Sequence, residues 1–160
     1  MNEIKLNHGF VAVVDDEDYK SVVLRKWRAF RVKNSDLVYA ITDEYLGNGK
    51  YKSVLMHRFI MQPMDGVTVD HQNSNGLDNR RSNLRFATRT QQQANTRKTK
   101  GASRFKGVWL NKANAKWKAH IKIFGKRQYL GQFDTEEEAA KAYNNQAVVF
   151  FGEFAKLNIL

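Results

Sequence analysis

The chain has 160 residues, a net charge of +11, 42% hydrophobic residues and no cysteine. This length and composition predict one medium domain or two small ones with a buried core, and they exclude wholesale disorder, disulfide bonds and cysteine-ligated zinc. No apolar run reaches the length of a membrane-spanning helix and the first residues lack a signal-peptide core, so we expect no membrane partner and a cytoplasmic location.

The first part of the chain predicts a small antiparallel leader sheet over residues 3–57. Apolar and polar residues alternate there in short runs, separated by clusters of Gly, Asn and Asp. A short helix is predicted over residues 16–25, after an acidic turn, and a further helical turn over 58–61. The predicted strands cover residues 9–14, 27–32, 37–42 and 53–57, with Trp27, Phe30 and Tyr39 in their core.

A β-hairpin and a helix are predicted next, over residues 67–97. Most of the Asn and Asp residues between the strands are expected to form the loop rather than to bind a ligand, because both residue types tolerate turn conformations. The predicted order is a strand at 67–69, a tight turn at Asn75-Gly76, a return strand at 83–86 and a helix that follows the N-cap Thr88.

Two adjacent residues of this hairpin carry the chemistry. Asp70 offers a hard carboxylate ligand for a divalent cation, and His71 is the residue type best suited to take a proton from water near neutral pH. Asn83, further along the hairpin, can belong to the same compact site. With the arginines that follow, the pattern indicates metal-assisted hydrolysis of a phosphodiester. These arginines are Arg80, Arg81, Arg85, Arg89 and Arg97.

The uneven distribution of charge indicates the partner. Residues 79–127 contain 15 Lys or Arg residues and no Asp or Glu, whereas acids and bases nearly balance before residue 55. Ordinary protein surfaces mix both signs, so such a stretch predicts a nucleic acid partner whose binding depends on salt. A membrane surface is disfavoured because the basic residues are not opposed to a long apolar helix face.

The last part of the chain predicts a second unit over residues 104–160, after a small, polar and basic linker at 98–103. Three strands are predicted at 105–109, 117–123 and 128–131. Thr135 and Glu138 form a predicted capping box at the start of a helix, whose apolar face covers the sheet. That face consists of Ala139, Ala140, Tyr143, Ala147 and Phe150, and Trp117, Leu130 and Phe133 are expected to pack against it.

The hairpin resembles a known nuclease motif through Asp70-His71-x-Asn73-x-Asn75-x-Leu77-Asp78-Asn79-Arg80-x-x-Asn83-Leu84-Arg85. This pattern resembles the HNH nuclease family, especially the homing endonucleases of phages and other mobile elements. The resemblance implies that His71 is the general base, Asp70 a metal ligand and Asn83 a brace across the hairpin. The third family position, usually Asn or His, is Gln92 here, and Asn95 is an alternative ligand. His57 is expected either to contact phosphate or to pack.

The second unit resembles the apetala/ethylene-response-factor DNA-binding domain. The matching segments are 106–108, 117–121, 130–133, 137–143 and 155–158. The resemblance implies that the sheet enters the major groove, and Trp109 stands where the family usually has arginine, so the target sequence cannot be carried over. The candidate DNA contacts are Lys106, Trp109, Asn111, Lys116, Lys118, Lys122, Arg127 and Tyr129, and His120 faces either DNA or solvent.

Together these observations predict an α+β protein with an HNH nuclease domain at 1–97 and a DNA-binding domain at 104–160. The expected activity is that of a homing-type DNA endonuclease that uses Mg²⁺ or Mn²⁺ on double-stranded DNA. It would nick as a monomer or cut both strands as a homodimer. The main alternative is a non-catalytic DNA-binding regulator with a degenerate nuclease module, which the departure at Gln92 favours, and an RNA-binding protein is a more distant one.

Overall fold

A computed structural model describes residues 1–96 and 102–160 of the chain. They fold into two compact units, Met1–Ala87 and Thr88–Leu160. Each unit combines short helices with small antiparallel sheets, so the predicted α+β class is confirmed. Most of the predicted linker, and Arg97, lie outside the described residues. The predicted domain boundary at 97 stays a prediction, but the helix that follows Thr88 belongs to the second unit.

The first unit contains three antiparallel sheets, which pair β1 with β2, β3 with β4 and β5, and β6 with β7. The strand predicted at 53–57 ends at Leu55, because Met56 already begins a helix; that part of the prediction was wrong. The elements are β1 (Asn2–Lys5), β2 (Val11–Val14), α1 (Asp16–Val22), β3 (Arg28–Arg31), β4 (Val38–Gly47), β5 (Lys50–Leu55), α2 (Met56–Met61), β6 (Thr68–His71) and β7 (Leu84–Ala87).

The core of the first unit consists of side chains from the leader sheets, α1, α2 and the hairpin. Trp27 lies in it as predicted, and its indole Nε1 donates to the Val22 carbonyl oxygen at 2.8 Å. Phe30 was wrongly placed there: it is 46% exposed, because the alternation along β3 turns the neighbouring Ala29 towards the core instead. The buried members are Ile4, Leu6, Ala12, Val14, Val22, Trp27, Ala40, Met56, Ile60, Val69 and Leu84.

The second unit is a three-stranded antiparallel sheet packed on a helix, as predicted. The strand order is β10-β9-β8, and residues of β8 and β9 form a core with α4. The first strand begins at Val108 rather than at the predicted residue 105, and Phe105 is buried in the core before it. The elements are α3 (Arg89–Ala94), β8 (Val108–Asn111), β9 (Lys116–Ile123), β10 (Lys126–Phe133) and α4 (Glu136–Phe151).

Both predicted N-caps are formed. Thr88 accepts a hydrogen bond from the Gln91 amide at the start of α3, and Thr135 accepts one from the Glu138 amide at the start of α4. In each case the residue three positions on reaches back to the cap amide, which completes a capping box. One helix position was wrong, because Phe151 is buried and its neighbour Phe150 is 44% exposed.

The end of the chain is held to the second unit by Asn158. Its side chain accepts from the Lys106 amide at 2.7 Å, and its own amide donates to the Asn144 side chain at 2.8 Å. Among the described residues there is no helix both long enough and apolar enough to cross a membrane.

Candidate active site and DNA-binding face

The site loop, residues 72–83, joins β6 to β7 and is held along one side by β2. The Val13 amide donates to the Leu77 carbonyl oxygen at 2.8 Å, and the Val13 carbonyl oxygen accepts from the Asn79 amide at 2.8 Å. These bonds form a short parallel bridge between Val13 and Asp78. Because buried backbone groups are costly to leave unpaired, the leader sheet holds the site loop in one conformation.

Asparagine side chains build the inside of the site loop. Asn73 Oδ1 accepts from the Asn75 amide at 2.8 Å, and Asn75 Oδ1 accepts from the Leu77 amide at 3.1 Å, so the predicted loop-forming role is confirmed for both. Asn83 Oδ1 accepts from the Asn73 amide at 3.0 Å, and its Nδ2 donates to the Asp78 carbonyl oxygen at 2.7 Å. Asn83, at the end of the site loop, therefore bonds both to its beginning at Asn73 and to its middle at Asp78.

Gly76 is needed in the site loop for space rather than for its backbone freedom. The predicted turn is present, since the Asp78 amide donates to the Asn75 carbonyl oxygen at 3.2 Å. The left-handed residue of the loop is Ser74, however, and not Gly76. A Cβ at Gly76 would lie closer than 3.0 Å to the Val38 carbonyl oxygen and to the ring of Tyr39. The loop therefore packs directly on β4.

His71 ends β6 and is only 5% exposed. Its Nε2 donates to Asn79 Oδ1 at 3.3 Å, so Nδ1 is the basic nitrogen of the neutral ring. Burial lowers the pKa of His71 below its usual 6.5, although the hydrogen bond with Asn79 and the charges of Asp70 and Asp78 act in the opposite direction. At neutral pH the ring is therefore uncharged, which is the form that accepts a proton.

Two further rings enclose His71. The ring of His57, from α2, meets it edge to face with centroids 4.8 Å apart, and the ring of Tyr39, from β4, lies 5.8 Å from it. Of the two alternatives for His57, the structure shows the packing one. Burial, with smaller contributions from the charges of His71 and Arg58, lowers the pKa of His57 to about 3. Burial and the charge of Asp70 raise the pKa of Tyr39.

Sequence reasoning missed Tyr39 and Asn79 as residues of the site. Tyr39 was assigned to the core of the leader sheet, and Asn79 to the loop. The period-2 alternation of β4 indicates only that Tyr39 is on one face, and no local pattern relates that face to the hairpin. A sequence signal did exist for Asn79, because it lies within the motif that resembles the nuclease family.

Asp70 is buried on β6 and forms an ion pair with Arg85. The two residues are opposite each other in the β6–β7 register, and Arg85 Nε and Nη2 lie 3.1 and 3.0 Å from Asp70 Oδ2. Arg85 was predicted to contact DNA, but its side chain is largely buried and compensates the Asp70 charge. A role for Asp70 as metal ligand and for Arg85 towards DNA both stay predictions.

The other two arginines of the hairpin also pair with acids. Arg80 makes two bonds to the Asp78 carboxylate, at 2.6 and 2.7 Å. Arg81 makes two bonds to the Asp18 carboxylate, both at 2.8 Å, and its amide donates to Asp15 Oδ2. Arg81 therefore fastens the site loop to α1, a role that the sequence did not indicate. Phosphate contacts by these arginines stay predictions.

The predicted ligands Gln92 and Asn95 lie on and just after α3, in the second unit. Gln92 is half-buried and Asn95 is buried, while Arg89 at the start of the helix is exposed. The first unit holds Asp70 and His71, and the ligand roles of Gln92 and Asn95 stay predictions.

Lys106, a predicted DNA contact, directs its ammonium group to the end of α3, and its contact with DNA stays a prediction. Its Nζ donates to the carbonyl oxygens of Gln93 and Ala94, where the helix dipole attracts a cation. Burial, and to a smaller extent the charge of Lys156, lowers the pKa of Lys106 to about 8.

The remaining DNA-binding candidates of the second unit share the outer face of its sheet. The register pairs Trp109 with Lys118, Asn111 with Lys116 and Arg127 with Lys122, so alternate residues of the three strands point away from α4. The inward residues Ala119, Ile121 and Ile123 are buried. We call this outer face the sheet face, and it consists of Trp109, Asn111, Lys116, Lys118, His120, Lys122, Arg127 and Tyr129.

Aromatic rings form the centre of the sheet face. Trp109 and His120 stack with centroids 3.9 Å apart, and Tyr129 lies 5.1 Å from His120 on the other side. The Arg127 guanidinium carbon lies 5.6 Å from the Trp109 ring centroid, within cation–π range. Lys116 is paired with Asp134 at 2.9 Å. The face thus presents stacked rings bordered by cations, which suits a nucleic acid surface.

Comparison with known proteins shows what two segments of the chain resemble. Residues 55–94 match the family model of the HNH endonucleases. An uncharacterised HNH endonuclease of Acanthamoeba polyphaga mimivirus is 36% identical over 127 residues, which cover 71% of this chain and 65% of the viral protein. Residues 55–94 are therefore similar to the HNH endonucleases.

A second segment of the chain is similar to plant transcription factors. An AP2-like ethylene-responsive transcription factor of Arabidopsis thaliana is 41% identical over 59 residues, and an APETALA2-like protein of rice is 42% identical over 57 residues. These matches cover 37% and 36% of this chain but only 12% and 13% of the plant proteins. The chain therefore spans less than two thirds of the length of each of these relatives.

Proposed function

We infer that the chain is a homing-type DNA endonuclease that hydrolyses one phosphodiester bond at each encounter with duplex DNA. The observation that carries this proposal is the state of His71. It is buried, which lowers its pKa, its Nε2 donates to Asn79 Oδ1, and it adjoins the Asp70 carboxylate within the segment that matches the HNH endonucleases. A general base must be unprotonated at the working pH and held in position, and the lowered pKa and the bond to Asn79 favour both.

In the proposed reaction, His71 Nδ1 takes a proton from the water that attacks phosphorus. Asn79 keeps the other nitrogen protonated and holds the plane of the ring. The charges of Asp70 and Asp78, which raise the pKa of His71, stabilise the imidazolium that results. The rings of His57 and Tyr39 restrict the ring from two further sides.

The chemistry of the donor groups fits a divalent cation such as Mg²⁺ or Mn²⁺. Such an ion is commonly held by one or two carboxylates together with water and substrate phosphate oxygens, and Asp70 supplies a buried carboxylate beside His71. Gln92, or Asn95 in its place, would supply an amide oxygen. When bound, the cation stabilises negative charge on the phosphate and on the leaving oxygen. Another carboxylate cluster, at Asp15, Glu17 and Asp18, is compensated by Arg81.

The sheet face is proposed to supply affinity and target recognition. Its lysines and Arg127 would contact phosphates, and its rings would pack on sugars and bases. Arg89 and the net charge of +11 favour the same polyanionic partner. A mobile genetic element is the proposed setting, with action in the cytoplasm of its host, and the likeness to a viral HNH endonuclease supports it.

The proposal is tested by incubating the purified protein with supercoiled plasmid and either Mg²⁺ or Mn²⁺. We expect metal-dependent nicking by the wild type and none by His71→Ala or Asp70→Asn. His8→Ala, which removes an exposed histidine, is the matched control and should nick at the wild-type rate. Nicking by His71→Ala at the wild-type rate would exclude the assigned base.

The same assay decides the alternative of a non-catalytic DNA-binding regulator. That alternative is favoured by the ion pair of Asp70 with Arg85, which places a protein cation where a metal ion would bind, and by Gln92 at the third motif position. Binding of the plasmid without nicking under either metal would establish the regulator.

A further inference from the structure

The hairpin of β4 and β5 ends in a tip that exposes three large apolar side chains. Tyr45, Leu46 and Tyr51 are 59%, 61% and 67% exposed, whereas the other end of β4 is buried in the core of the first unit. Tyr45 and Tyr51 are opposite each other in the register, and their ring centroids are 5.1 Å apart. Soluble proteins seldom expose such a group of rings unless it binds something.

The tip is built as a defined shape. Gly47, Asn48 and Gly49 all have positive φ, at 88°, 51° and 72°, which forms the tight connection between the strands. The Gly49 amide donates to the Tyr45 hydroxyl oxygen at 3.3 Å, so the ring is tied to the turn. Tyrosines ordered in this way lose little conformational entropy on binding a partner.

The charges around the tip are those of a surface for a polyanion. The nearest acids are already paired, Asp43 with Arg28 at 2.9 Å and Glu44 with Arg25 at 3.7 Å. Lys50 and Lys52 are exposed on either side of Tyr51 in β5, so strand alternation directs them to the other face of the ribbon from the rings, where Lys52 is opposite Glu44 in the register. Within residues 1–96 and 102–160 no carboxylate forms an ion pair with either lysine.

Duplex DNA matches these properties better than a second copy of the chain does. Another copy would bring its own net charge of +11 to a basic tip, which opposes association. The major groove of DNA admits a two-stranded β-ribbon, lysines on the ribbon meet phosphates at the groove edges, and apolar side chains meet thymine methyl groups and sugars. The ribbon, the lysines and the rings are all present in this hairpin.

We propose that the hairpin arm, defined as Tyr45, Leu46, Lys50, Tyr51 and Lys52, is a DNA-contacting surface additional to the active site and the sheet face. It rests on the proposed function only in taking duplex DNA as the substrate. The arm is at the far end of β4 from Tyr39, the residue that contacts His71, so it contributes affinity and position along the duplex and takes no part in the chemical step.

The test uses the full chain and a fluorescently labelled duplex of mixed sequence, with anisotropy titrations at several salt concentrations. The variant Lys50→Gln/Lys52→Gln removes two cations. If each contacts a phosphate, the slope of log K against log salt becomes shallower by about 1.8. The variant Tyr45→Ser/Tyr51→Ser should weaken binding about tenfold at every salt concentration without a change in slope.

Matched controls are Lys20→Gln/Lys33→Gln for charge and Leu24→Ser for exposed apolar surface, since all three of these residues are exposed elsewhere in the first unit. Circular dichroism checks that each variant is folded. Arm variants that bind as the controls do would overturn the proposal. So would a tyrosine variant that changes the sedimentation coefficient of the free protein and leaves DNA affinity unchanged, because the arm would then join copies of the chain.

The plasmid assay keeps this proposal separate from the proposed function. At saturating protein the arm variants should still nick, because His71 and Asp70 are untouched. If the wild type fails to nick, the nuclease proposal fails while the binding titrations still report on the arm. If the wild type nicks and the arm variants bind normally, only the arm proposal fails.

Discussion

Replacing His57 by phenylalanine should make the first unit less sensitive to acid. His57 is buried between His71 and Tyr39, and its pKa is lowered to about 3 from the ordinary 6.5. Above pH 6.5 neither the folded nor the unfolded chain protonates it. Below that pH the unfolded chain binds a proton that the folded chain excludes, so stability is lost as pH falls from 6.5 towards 3.

The magnitude follows from the difference between the folded and the unfolded pKa of His57. A tenfold change in proton affinity corresponds to about 1.4 kcal/mol, so the full loss approaches about 5 kcal/mol near pH 3. At pH 5 the unfolded chain is almost fully protonated at this position while folded His57 is still neutral, which gives a loss of about 2 kcal/mol relative to pH 7. That value depends mainly on the unfolded pKa, because pH 5 lies well above the folded one.

The assay is urea unfolding at pH 7, 6 and 5, observed by NMR at the indole N–H of Trp27. This group donates to the Val22 carbonyl oxygen in the core of the first unit and therefore reports on that unit alone. The difference in unfolding free energy between wild type and His57→Phe should change by about 2 kcal/mol between pH 7 and pH 5. His8→Phe, at an exposed position, should run parallel to the wild type. Parallel curves for wild type and His57→Phe would refute the reasoning.

Three further outcomes are expected. Gly76→Ala should lower the unfolding free energy in urea by about 1–3 kcal/mol and slow nicking, because the added methyl group displaces Tyr39 from the site. Arg81→Ala should lower the unfolding free energy in urea by about 2 kcal/mol, because it leaves the buried Asp18 carboxylate unpaired. Adding Asp18→Asn to that variant should recover most of the loss, and a double variant no more stable than Arg81→Ala would contradict this. Lys122→Ala should make the salt slope of DNA binding shallower by about 0.9 in anisotropy titrations, with plasmid nicking at saturating protein unchanged.

Local patterns predicted well those features that local interactions determine. The capping boxes at Thr88 and Thr135 depend on residues three positions apart, and both are formed. The three strands and the helix of the second unit were recognised because alternation and helical periodicity extend over whole elements. The placements of Phe30 and Phe150 were wrong for two reasons. Alternation in β3 shows only that Phe30 and Ala29 face opposite sides, and packing decides which side is the core. In α4 the adjacent Phe150 and Phe151 both lie near the apolar face, and packing buries Phe151.

Residue chemistry indicated Asp70, His71 and Asn83, and the motif resemblance added their proposed roles. What the motif could not show is how the groups are partnered. Asp70 forms an ion pair with Arg85, and His71 Nε2 donates a hydrogen bond to Asn79. Both partners belong to the same motif, but the motif does not show these pairings. A sequence motif gives residue types in order, whereas partner choice depends on which side chains the hairpin register brings together.

The sequence by itself determined the α+β class, the basic character that calls for a polyanion, and the adjacency of a carboxylate and an imidazole at residues 70 and 71. Only the tertiary structure decided that His57 and Tyr39 enclose that imidazole, that Arg81 fastens the site loop to α1, and that Tyr45 and Tyr51 form an exposed pair. The physical reason is that charge and periodicity are properties of short stretches. Whether a side chain is buried or exposed depends on residues distant in the chain, and burial is what lowers the pKa of a histidine.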